Sequence, residues 1–272
     1  MQHTNKTPLT TEQLRDASAA IFAKRPSKRV SERYGFVSTA DIVKTMHAAG
    51  FAPFAARGQR SYKGGDNHLY GRHMVVFQPA SGRALLGEVV PTVTVYNSHN
   101  GRTLYRLIAG LFRLVCSNGL MVAYRNFGSV EVRHNAGALD EIGKASQTVL
   151  AQARESIDTV QQMQRFKLDD KDQLTYARAA LKLRYADAAP IKPEALLEVK
   201  RPEDEGRDLW HVFNRVQEHL MRGGLQGQAS TGRRLTLRPI TNIRREVTVN
   251  MDLWDMTMTY MTKHGHAPKL AA

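Results

Sequence analysis

The sequence predicts an α+β fold, with an antiparallel sheet packed by a long helix and an additional helical lobe. Three observations lead there. Runs around residues 68–97 and 120–134 are rich in Val, Tyr and Phe and are bounded by turn residues, as strands are. Apolar residues recur at helical spacing from Leu104 to Val115 and again from Ile142 to Phe166. The strand-like runs cluster instead of alternating regularly with helices, which argues against a doubly wound parallel sheet.

The elements follow in order. Thr11 is placed to cap a helix from Glu12 to Ala23, with Leu14, Ala17, Ala20 and Ile21 on one face. The segment KRPSKRVSERYG, interrupted by Pro26, reads as a basic loop or arm. Ser38 or Thr39 starts a second helix through Ile42, Val43 and Met46, which stops at Gly50. His68–Gln78 and Glu88–Asn97 read as strands joined by a turn at Pro79 and Gly82. TLYRLIAGLFRLVCSNG, from Thr103, reads as the most apolar helix, with Leu107, Leu111 and Leu114 in its stripe and Gly119 past its end. Leu120–Tyr124 and Val130–His134 close the sheet. Residues 138–189 read as two helices, the second capped within Asp169–Asp172 and ended by Pro190 and Pro193. Further helices are expected over Leu209–Met221 and within Val247–Tyr260. The expected organisation is an N-terminal helix and basic arm (1–37), a basic α+β core (38–136), a helical lobe (137–222), and a basic loop with a C-terminal segment packing on the core (223–272).

Charge is the strongest functional signal. The chain of 272 residues carries 39 Lys and Arg against 25 Asp and Glu. Residues 1–136 hold 18 basic and 7 acidic groups, net +11, whereas residues 137–200 hold 10 of each. A concentrated positive field attracts polyanions, and nucleic acid is the commonest. The candidate phosphate contacts are Lys24, Arg25, Lys28, Arg29, Arg33, Arg57, Arg60, Lys63 and Arg72, with Arg233, Arg234, Arg244 and Arg245 as a second patch. Tyr62 and Tyr70 interleave with the first set, a pattern suited to stacking bases while neutralising phosphates. No helix with a base-reading pattern stands out, so binding is expected to depend weakly on sequence and strongly on salt.

Catalytic and metal signatures are weak. There is no GxxxxGK[ST] loop, no GxSxG elbow and no HExxH. His68 and His73 fall five apart on a presumed strand, on opposite faces, which argues against a shared metal. Asp41, Asp66, Glu88 and Glu131 are widely spaced for a metal-dependent nuclease, which stays open as an alternative. Cys116, the lone cysteine, reads as a small core residue and excludes an intrachain disulfide. Asn97–His99 and Asn118–Gly119 flank the expected helix and read as turns and caps, with a ligand site at either one as the alternative. No cofactor is expected. The opening residues lack an apolar signal core and no run is long enough to span a bilayer, so a cytoplasmic location is expected.

Three blocks carry a family resemblance: YNSHNGRTLYRLIAGLFRLVCSNGLMV (Tyr96–Val122), LWHVFNRVQEHLMRGG (Leu209–Gly224) and RRLTLRPITNIRREVTVNMDLW (Arg233–Trp254). They resemble the domain-of-unknown-function family numbered 932, over roughly residues 30–260. That resemblance implies phage and plasmid biology, without a mechanism or catalytic residues. In element order, residues 38–118 also resemble single-strand annealing proteins, which place a helix before a curved antiparallel sheet and a long helix across it. For this match, Arg57–Tyr62 must supply a further strand. The expected function is therefore non-catalytic DNA binding, with single strands as partner, annealing as its sharpest form, and a homo-oligomer as the assembly. A protein that binds and inhibits a host factor is the other non-enzymatic reading.

Overall fold

Antiparallel pairing organises the first half of the chain in the computed structural model, which describes residues 2–4, 7–59, 65–80, 89–113, 119–121, 129–135, 137–229 and 231–265. The strands are β1 (Gln2–Thr4), β2 (Phe51–Gly58), β3 (His73–Pro79), β4 (Val89–Asn97), β5 (Tyr105–Arg113), β6 (Gly119–Met121) and β7 (Ser129–Val132). They pair in the order β1-β2-β3-β4-β5-β6, and β7 shares the edge of β5 with β6.

Local chemistry explains the helices around this sheet. Thr10 caps α1 (Thr11–Ala17) in a reciprocal capping box with Gln13, and the chain continues as a 3-10 turn at Ala19–Phe22. Ser38 caps α2 (Thr39–Ala48), its hydroxyl accepting from the Ala40 N–H. Gly50, at φ +85°, stops that helix in the left-handed region that favours glycine. A short helix, α3 (Asp66–Tyr70), precedes β3, so His68 is helical while His73 opens a strand.

One sheet face meets these helices. Phe51, Ala56, Val75, Phe77, Val93, Val95, Tyr105, Leu107 and Val132 form one core with Leu14, Ile21, Ile42 and Met46. Ala138, Ile142, Val149 and Ala153 of α4 (Ala138–Arg165) join the same core. The long helix packed on the sheet is therefore α4, in the α+β fold expected.

The segment expected to be a helix from Thr103 is β5. Leu107 and Leu111 are buried, but as strand residues paired with Val95 and Pro91. The reason is burial on both faces beyond Arg106, whose side chain is 37% exposed. Tyr105, Leu107, Ala109 and Leu111 alternate with Ile108, and all have at most 1% exposure. A strand covered on both sides is a continuous apolar run, in which helical spacing is satisfied by accident. Leu114, Cys116 and Asn118 lie outside the described residues, and Gly119 begins β6 instead of closing a helix. A further strand does lie between α2 and β3, but it is β2, Phe51–Gly58, which begins directly after Gly50 and includes only Arg57 and Gly58 of the expected Arg57–Tyr62; residues 60–62 lie outside the described residues.

The chain divides into two compact units, Met1–Arg154 and Glu155–Ala272. The division falls within α4, not at residue 137. In the second unit, α5 (Asp170–Tyr185) and α7 (Ile243–Lys263) contact α6 (Leu209–Arg222). Residues 209–221 of α6 are nearly all buried, polar ones included. Its Gln217 donates to Asn250 at 3.0 Å, while the Tyr176 and Thr257 hydroxyls meet at 2.7 Å. A hairpin of β8 (Gln226–Gln228) and β9 (Arg234–Thr236) precedes α7. The C-terminal segment thus packs on α5 and α6. No described helix is long and apolar enough to cross a membrane.

Leu107 tests the strand assignment and the shared core. Its replacement by Ala is expected to cost about 2–5 kcal/mol in denaturant unfolding. An unchanged midpoint contradicts its place between sheet and helices.

Candidate functional site

Strand register brings one set of polar residues to one end of the sheet. His73 lies opposite Asn97 and beside the end of β2, where Gly58 is its partner. Tyr105 lies opposite Val132, so the His134 that follows β7 reaches the same end. Period-two alternation then puts His73, Asn97, Tyr105 and His134 on the helix-covered face.

Thr39, at the start of α2, is the node of this group. His73 Nδ1 lies 2.9 Å from the Gly71 carbonyl, which can only accept, so Nδ1 carries the hydrogen and Nε2 is an acceptor. The Thr39 hydroxyl therefore donates to His73 Nε2 at 2.7 Å. Its lone pairs accept from Asn97 Nδ2 at 3.2 Å and His99 Nε2 at 3.3 Å. One donor and two acceptor sites are all used. Thr39, His73, Asn97 and His99 are each 0% exposed. A hydroxyl, an imidazole and a carbonyl in line resemble an activated nucleophile. Here the hydroxyl is sealed from substrate and its lone pairs are occupied, so the arrangement acts as a tether.

The tether holds the basic arm. Between Ala23 and Ser38 the chain has no regular helix or strand, yet it is tied at both ends of its course. The Ser27 N–H donates to the His99 carbonyl at 2.9 Å, and its hydroxyl donates to Asp66 at 2.7 Å. The Gly35 N–H donates to the His134 carbonyl at 3.1 Å. Any Cβ at Gly35 would fall 2.6 Å from the Asn135 backbone, so only glycine permits that approach. Tyr34 stacks on His134 with centroids 4.4 Å apart and donates its hydroxyl to the Ser98 carbonyl at 3.2 Å. The Tyr105 hydroxyl donates to the Val37 carbonyl at 2.7 Å.

The expected cations take three different positions. Lys24, Arg25, Lys28, Arg29 and Arg33 are all exposed on the tethered arm. Arg29 lies 3.9 Å from Asp66 with a side chain 68% exposed, a contact of small energetic weight. Arg57 and Arg72 are half-buried at the same end of the sheet, on the face opposite the helices, and Tyr70 ends α3 beside them. Arg60, Tyr62 and Lys63 lie outside the described residues. Arg233, Arg234, Arg244 and Arg245 are exposed in the second unit, where Arg245 donates to the Arg184 carbonyl at 2.6 Å.

Sequence reasoning missed Arg102, Arg106 and Arg133. Arg106 and Arg133 share the face of Arg57 and Arg72, and Arg102 sits in the exposed loop before β5. The signal was available only through the strand reading of residues 105–113, which aligns Arg106 with Glu131 across the ladder. Those two form a cross-strand ion pair. The carboxylates considered for a nuclease are engaged separately: Asp41 with Lys44, Asp66 with Ser27, and Glu131 with Arg106, while Glu88 lies outside the described residues. Among the described residues, no group of three or more His, Cys, Asp or Glu can hold a metal ion.

Burial sets the protonation of the imidazoles. It pushes His73 down to about 4, against the opposing pull of the Gly71 carbonyl. It pushes His99 down to about 2, assisted by His73 and His134 and opposed by the Ala20 backbone. His134 is lowered for the same first reason. A buried neutral histidine takes up its proton more readily when unfolded. Its contribution is therefore fully present above the ordinary histidine value of 6.5 and is lost as pH falls toward about 4 for His73. That loss is on the order of 3 kcal/mol for His73. The melting temperature is expected to fall steadily across that window. His73→Asn, which keeps a donor toward Gly71, should flatten the fall. An equal slope in both proteins contradicts a buried neutral His73.

Comparison with known proteins agrees with the sequence blocks. The model of the domain of unknown function family DUF932 matches residues 26–254. The chain is 31% identical to the UPF0380 protein YfjQ of Escherichia coli (strain K12) over 257 residues, 94% of this chain and 93% of that one. It is 32% identical to the UPF0380 protein YafZ of the same organism over the same shares. No solved structure matches. With the arm from Pro26 onward, the histidine tether, α6 and most of α7 inside the matched span, this chain belongs to the DUF932 family.

Proposed function

We propose that this protein binds DNA without catalysis, through the cationic end of its sheet, and that single strands are its preferred form. The observation that carries this reading is the convergence of charge. The tethered arm offers Lys24, Arg25, Lys28, Arg29 and Arg33, and the strand ends add Arg57, Arg72, Arg102 and Arg133. Among the described residues of the same segments, 23–38, 51–59, 65–73, 98–106 and 129–135, the acidic ones are Glu32, Asp66 and Glu131, and Glu131 is paired with Arg106. Such a rim neutralises phosphates wherever a strand lies across it.

The tether gives the rim its value. A free basic arm binds DNA but loses conformational entropy as it does so. Here the loss is met during folding, by the bonds from Ser27, Tyr34 and Gly35 to the strand ends. Element order supports the annealing form of the proposal: α2 precedes the antiparallel strands and the long α4 follows them. A role in the recombination of a mobile element, with assembly into an oligomer, extends the same proposal.

Binding should weaken as salt rises, with each lost phosphate contact lowering the slope by about 0.7 for single strands. The Lys28, Arg29, Arg33 triple alanine variant is thus expected to bind more weakly, with a slope shallower by about 2. Fluorescence anisotropy across a salt series, beside a strand-annealing assay, measures both. If the parent protein shows no binding at low salt, the rim serves solubility or a protein partner, and the proposal fails.

A further inference from the structure

We propose that Leu69 and Leu104 are specificity-determining residues of this rim, forming an apolar step that contacts unpaired bases and so separates single strands from duplex. The inference rests on the DNA-binding reading above and adds to it the feature that selects the form of DNA.

Large apolar side chains are seldom exposed among the described residues. Among the described residues they are Leu69 at 41%, Leu104 at 40% and Val199 at 45%. Isolated surface leucines are ordinary. Two of these three, however, flank the cationic rim, one from α3 and one from the loop before β5. Leu69 belongs to α3, immediately before Tyr70 and Arg72. Leu104 stands between Arg102 and Arg106, at the entry to β5.

Helix α3 and the loop after β4 are fastened to each other. The His99 N–H donates to the Tyr70 carbonyl at 2.9 Å, and Asn100 Nδ2 donates to Asn67 at 3.3 Å. β3 and β5 both neighbour β4, so their starts stand two strand spacings apart, about 10 Å. The leucines are therefore held in place by the same strand ends that carry the cations.

Cations alone do not choose between forms of DNA, because both present phosphates. Apolar surface does choose. A duplex keeps its base faces stacked inside, whereas a single strand can lay them on an apolar side chain. The surrounding charge selects a polyanionic occupant for this step over an apolar helix of a protein partner.

The test compares an oligothymidine strand with a mixed-sequence duplex, on the full chain. The Leu69→Ser, Leu104→Ser double variant is expected to bind the single strand about tenfold more weakly. Its salt slope should be unchanged, because no charge is lost, and duplex affinity should stay within about twofold. The Leu69→Met, Leu104→Met variant should keep the parent's selectivity. Equal weakening toward both forms, or no weakening toward either, overturns the inference, as does a parent that binds both forms equally. A parent that binds neither form overturns the DNA-binding reading itself, which is a different result.

Discussion

The hydroxyl of Thr39 joins α2 to three strand-end residues in the first unit, and the remaining architecture of that end depends on it. It donates to His73 and accepts from Asn97 and His99. Each partner comes from a different part of the chain: β3, the end of β4, and the loop beyond. Buried polar groups are costly when any one of them lacks a partner. The node is therefore nearly all-or-none, and losing the hydroxyl leaves His73 Nε2 buried without a donor. The apolar core beneath it, from Ile42 to Leu107, supplies the burial that makes this demand strict.

Function-related features are built outward from that node. The carbonyls of His99 and Ser98, which belong to the pinned loop, receive the Ser27 N–H and the Tyr34 hydroxyl. The arm's irregular backbone thus has a fixed course and its cations a fixed address. Asp66 adds a second anchor through Ser27. The same loop exposes Arg102 and Leu104. Charge, anchoring and apolar surface meet where the strands end, the usual place for a site carried on a rigid sheet.

Some of this was legible in the sequence. Ser38 and Gly50 marked the limits of α2, and Asp169 marked the start of α5, because capping is a local matter. The contiguous cations of the arm were legible for the same reason. The segment from Tyr105 was not, since a strand buried on both faces carries no alternation. The tether was hidden as well. Thr39, His73 and His99 are tens of residues apart, and His99 in isolation reads as part of a turn. Only register reveals that Asn97 faces His73, and only the β5 strand aligns Arg106 and Arg133 with Arg57 and Arg72.

The central claim is that a nucleic-acid strand lies across the tethered arm and the adjoining strand ends. Hydrogen–deuterium exchange of the full chain with and without an oligothymidine strand reads this most directly. The account predicts added protection in residues 24–35, 65–72 and 98–106, with the interior of α6 unchanged. Protection confined to the second unit around Arg233–Arg245, or none anywhere under conditions of saturating strand, would contradict it.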